Sequence, residues 1–135
     1  MSYGFLCKAE RNKREHDYAF FSYARWAYIE KIMLKHWHVE IEIDHFHASS
    51  EDMRKALHEI KKSRQRKYWL LFRLNYINKN EVPVRHIKKF LPILKNFINN
   101  ALRRGVPIGS IIELHILAKI CETCIKQKSP LLIYR

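Results

Sequence analysis

The stretch from Pro83 to Gly105, PVRHIKKFLPILKNFINNALRRG, decides how the rest of the chain is read. Ile87, Phe90, Leu91, Leu94, Phe97, Ile98 and Ala101 recur at spacings of three and four, which puts them on one face of a helix. Pro83 suits the first turn, where no amide hydrogen is needed, and Gly105 is placed to end the helix. Pro92 falls inside the pattern and predicts a kink or a division there, because it lacks an N–H and crowds the preceding turn. Between the apolar positions stand Arg85, Lys88 and Lys89, and Arg103 and Arg104 close the run. The stretch therefore reads as a helix with one face for a core and one basic face for water.

Beyond Gly105, Ser110-Ile-Ile-Glu113 has the spacing of a capping box. The apolar helix that follows should stop before Ser129-Pro130, leaving Leu131–Tyr134 as a last short strand. On the other side of Pro83, residues 68–77 are short, aromatic and branched, as in a buried strand, and Asn78 to Glu81 form a polar turn. Ser49, Ser50, Glu51 and Asp52 mark the start of a helix that reaches about Arg66 and buries Met53, Leu57 and Ile60. Residues 37–47 alternate, with Trp37, Val39, Ile41 and Ile43 on one face and Glu40, Glu42 and Asp44 on the other, which predicts a strand.

Asp17 to about Lys35 has no Gly or Pro and reads as a helix capped by Asp17. Its stripes are Phe21, Arg25, Tyr28 and Ile32, and Phe20, Tyr23, Ala24 and Ala27. Residues 3–7 form a short strand before a charged loop from Lys8 to His16. The sum is an α+β fold: a helix-dominated single domain over residues 1–135, with about four to five helices around a small sheet of two to four strands.

A chain of 135 residues with 47% hydrophobic content can build a core without disulfides. Cys7, Cys121 and Cys124 are odd in number, which favours a reducing compartment. The first residues lack the apolar run of a secretory signal. Glu113, His115, Lys119 and Glu122 interrupt the longest apolar candidate for a membrane span. These features lead us to expect an intracellular protein, cytoplasmic or nuclear.

Twenty-six Lys and Arg against thirteen Asp and Glu give a net charge of +13. Residues 50–67 carry seven basic against three acidic side chains, and residues 80–104 carry six against one. Such a field favours polyanions, and nucleic acid is the first partner to consider. The candidate nucleic-acid-binding residues are Lys55, Lys61, Lys62, Arg64, Arg66 and Lys67, then Arg85, Lys88, Lys89, Arg103 and Arg104. RNA and DNA fit this charge pattern equally.

His45-Phe46-His47 places two imidazoles on one side of a strand, where they could share a divalent metal. The motif locally resembles the His-hydrophobic-His element of HUH endonucleases, and Tyr76-Ile-Asn-Lys79 is similar to their Tyr-x-x-Lys pattern. The resemblance implies a metal-dependent nuclease that cuts single-stranded DNA with Tyr76 as nucleophile. It covers only these few residues. The residues themselves favour structural histidines, since both follow Ile41 and Ile43 on the apolar side and no acid joins them there.

His36, His38, Glu40 and Glu42 form a second possible donor set, read here as a solvated strand face. Cys121-Glu-Thr-Cys124 has metal or redox spacing but falls within an apolar helix, and buried thiols are expected. With three Gly the chain has no phosphate-binding loop. Trp69, Phe72, Tyr76 and the aromatics between Tyr18 and Tyr28 have the chemistry to stack on bases, although core packing is their first reading.

The function expected is non-enzymatic, largely sequence-independent binding of nucleic acid through basic helical faces, with no cofactor. The alternatives are the HUH-like nuclease and a basic, matrix-like interaction protein at an anionic surface.

Overall fold

Short-range pattern and long-range pairing together set the fold, which a computed structural model describes for residues 2–36, 58 and 80–135. In chain order the elements are strand β1 (Ser2–Cys7), a 3₁₀ turn (Lys8–Glu10), β2 (Ala19–Ser22), helix α1 (Tyr23–His36), β3 (Glu81–Val82), α2 (Val84–Ala101), α3 (Ile108–Gln127) and β4 (Leu131–Tyr134). The fold is α+β, with three helices and a four-stranded antiparallel sheet among the described residues. The strand order is β2-β1-β4-β3, so the earliest and latest strands are central neighbours. The expected strands at 37–47 and 68–77 and the helix at 49–66 lie outside the described residues, save for His58, which is helical.

Period-two alternation gives the sheet two faces. Phe5 stands opposite Ala19 on one side and Ile133 on the other, and all three are buried. On this inner face Phe5, Phe21 and Trp26 form a ring cluster, with centroids 5.0–5.9 Å apart. The indole N–H of Trp26 donates to the buried carboxylate of Glu30 at 2.6 Å, which satisfies the indole and gives the carboxylate a partner within the core. Burial, aided by nearby Tyr23 and Glu30, pushes the Tyr3 phenol up to about 12.

Two expectations are corrected near the start of the chain. Ala19–Ser22 is a strand, not the first turn of a helix, because β1 offers it a ladder and its alternation buries Ala19 and Phe21. Ser22, not Asp17, caps α1: the Arg25 N–H donates to Ser22 Oγ at 3.2 Å. The buried stripe of α1 is consequently Trp26, Ile29, Ile32 and Met33. Glu81, expected in a turn, belongs to β3, where it pairs with Leu132.

Helix α2 follows its sequence pattern closely. All seven expected inward residues, Ile87, Phe90, Leu91, Leu94, Phe97, Ile98 and Ala101, are buried. Pro92 does not divide it. The proline sits on the exposed side, where the carbonyl that loses its donor can be hydrated. Gly105, with φ of +89°, turns the chain after α2, and the Val106 N–H donates to Ala101 O at 3.0 Å.

Helix α3 begins at Ile108 behind Pro107, so Ser110 and Glu113 do not form the expected capping box. Both instead tie α3 to other elements. Arg25 Nε donates to Ser110 Oγ at 3.3 Å, and the Phe20 N–H of β2 donates to Glu113 Oε2 at 3.0 Å. The helix ends at Lys128, in left-handed conformation, and the Ser129 N–H reaches back to Cys124 O at 2.9 Å. Packed chiefly against α2, β1 and β2, α3 is the centre of the core.

Candidate nucleic-acid interface

The residues facing away from the core on α2 are Arg85, Lys88, Lys89, Lys95, Asn96 and Asn99, all exposed. No Asp or Glu occurs anywhere in the helix. At the α-helical rise the stripe from Arg85 to Asn99 runs for about 21 Å of the helix. Exposed Arg103 and Arg104 extend it into the turn that follows. One clean division of apolar and polar positions thus lines up Arg85, Lys88 and Lys89 along α2, with Arg103 and Arg104 in the turn that follows.

Pairing within the stripe is sparse. Lys95 is joined to Glu122 of α3 in an ion pair, and Arg103 donates from its guanidinium to Asn100 Oδ1. Arg85, Lys88, Lys89 and Arg104 have no ion-pair partner among the described residues. At the edge of the stripe His36 of α1 contacts the ring of Phe97, with centroids 5.7 Å apart, and its Nε2 lies 3.3 Å from Asn96 Oδ1. Unpaired cations held along a helix can each meet an anionic oxygen without first breaking an internal bond.

The other basic cluster, Lys55, Lys61, Lys62, Arg64, Arg66 and Lys67, lies outside the described residues, as do His45, His47 and Tyr76 of the nuclease-like motifs. His38, Glu40 and Glu42 of the second donor set also lie outside them, whereas His36 is placed as above. Residues 2–36 and 80–135 carry seventeen Lys and Arg against seven Asp and Glu, so most of the excess charge belongs to the described part.

Cys121 and Cys124 are buried in α3 beside Cys7 of β1, and all three are free thiols. Burial drives the thiols of Cys121 and Cys124 well above their ordinary range and keeps them protonated. They are core residues, as their apolar surroundings in the sequence implied. Among the described residues no group of three or more His, Cys, Asp and Glu is arranged to hold a metal ion. No described helix is long and apolar enough to cross a membrane.

The core packing expected for the aromatics between Tyr18 and Tyr28 holds for only some of them. Of the aromatics near the start of the chain, Phe21 and Trp26 are buried, but Tyr18, Phe20 and Tyr28 are exposed, as is Tyr134 of β4. The signal was the alternation in Ala-Phe-Phe-Ser, visible only once 19–22 is read as a strand. The chain matches no protein-family model, no curated protein and no solved structure.

Proposed function

We propose that this domain binds nucleic acid through its phosphate backbone, with α2 and the turn after it as one gripping surface. The acid-free stripe of Arg85, Lys88, Lys89, Arg103 and Arg104 carries the reading. A helix whose outer face is, apart from Pro92, cationic or amide-bearing offers charge and hydrogen-bond donors to phosphate, and it carries no acid of its own to repel it. The chain-wide charge of +13 adds long-range attraction. Side chains of this kind position a polyanion without reading its bases, so the binding is largely sequence-independent and requires no catalysis or cofactor.

Titration of a mixed-sequence duplex and of one of its strands at several salt concentrations tests the proposal. Affinity should fall steeply with salt; about four neutralised phosphates give a log–log slope of about −3.6 on the duplex and about −2.8 on the single strand. In Lys88→Glu, Lys89→Glu the slope should flatten by about two phosphates' worth. Absence of binding to either form at low salt would refute the reading.

A further inference from the structure

Phe20 of β2, Gly4 of β1 and Tyr134 of β4 stand directly opposite one another across three adjacent strands. Opposed residues of antiparallel strands point to the same face, and this row is one residue out of step with the buried row of Ala19, Phe5 and Ile133. The Gly4 row therefore faces away from the helices. Phe20 is 45% exposed, Tyr134 47% and Tyr18, just before β2, 43%. A Cβ built on Gly4 would lie only 1.9 Å from Tyr18 Oη and 2.5 Å from its Cζ. The Tyr18 ring thus lies over Gly4, between Phe20 and Tyr134, on floor that any side chain would occupy. With strands about 4.8 Å apart, Phe20 and Tyr134 flank it across roughly 10 Å.

We propose that the end of this outer sheet face carrying Tyr18, Phe20 and Tyr134 is a stacking platform for the bases of an unpaired nucleic-acid strand; Leu6 and Leu132, farther along the same face, are buried. It rests on the reading that the domain binds nucleic acid, and it names the form of nucleic acid and a second surface. Stacking on aromatic faces tolerates every base, because each has a π-face, whereas the bases of an intact duplex are already stacked and out of reach. Charge favours the same occupant. Residues 8–17, which lead into Tyr18, hold four Lys and Arg against three Asp and Glu. Lys8 pairs with Glu81 at 2.7 Å and Lys13 with Glu10 at 2.9 Å, while Arg11 and Arg14 are exposed and form no ion pair among the described residues. The chain-wide charge of +13 supplies long-range attraction for the phosphates of such a strand.

The platform and the α2 stripe lie on different elements, so they can be altered separately. The test uses the full chain and a fluorescent mixed-sequence single strand, the same strand with abasic spacers in place of its bases, and the corresponding duplex. The double variant Phe20→Leu, Tyr134→Leu keeps apolar bulk and removes the ring faces; its circular dichroism and melting establish that it folds. Tyr134→Phe, which keeps the ring, serves as the matched control.

Wild type should bind the strand with bases more tightly than the abasic strand. The double leucine variant should lose about ten- to hundredfold affinity for the strand with bases and bind the abasic strand and the duplex as wild type does. Tyr134→Phe should bind like wild type. Unchanged single-strand affinity in a folded leucine variant, or equal wild-type affinity for the abasic and normal strands, would overturn the platform while binding that depends on Lys88 and Lys89 leaves the broader reading standing. Failure of wild type to bind any of the three at low salt would overturn both.

Discussion

Helices α2 and α3 are similar in length and pack against each other, yet they use their polar residues in opposite ways. In α2 polar and apolar positions separate cleanly, so its cations all face solvent and only Lys95 is tied to its neighbour by charge. In α3, wedged between α2 and the sheet, several polar side chains are spent on structure: Ser110 receives Arg25, Glu113 receives the β2 backbone, and Lys119 reaches Asp17 at 3.5 Å. A helix at the edge of a core can give one whole face to a partner. One at the centre cannot, because its polar groups must serve elements on several sides.

That contrast can be broken or sharpened by substitution. The largest effect is expected where the helices agree, in the core between them. Phe97→Ala in α2 and Leu117→Ala in α3 each empty a fully buried site and should lower unfolding free energy by about 3–5 and 2–5 kcal/mol in denaturant titrations. Next comes a polar tie of α3. Glu113→Ala leaves the Phe20 N–H without its carboxylate and should cost about 1 kcal/mol, with faster amide exchange at Phe20. The smallest effect on stability belongs to α2. Arg85→Ala and Lys88→Ala should each shift stability by no more than about 0.5 kcal/mol. A cost above 1 kcal/mol there would show that the stripe serves the fold, and the difference between the helices would collapse.

The inner face of α2 was legible because its period holds over eighteen residues and asks nothing of other elements. Strand β2 was not, because four residues run into α1 with no Gly or Pro between them, and only pairing with β1 decides their state. Ser110 and Glu113 match a local capping pattern, but Pro107 moved the helix start and distant donors claimed both oxygens. The basic stripe could be read from sequence for the same reason as the core of α2. The aromatic face could not, since Phe20 and Tyr134 share it only through a strand order that brings residues from both ends of the chain to Gly4.

That strand order also has a bearing on how the domain is made. Strand β4 follows every other described element in the chain, yet it lies inside the sheet, joining β1 to β3. During synthesis β1 and β2 can pair early, but among the described strands β3 has no neighbour in the sheet until β4 emerges. The nascent chain must carry an open β1 edge through the making of α1, α2 and α3. Contacts that close over so many residues favour slow folding, and chains halted before Leu131 would present an unpaired strand edge to the cell's quality control.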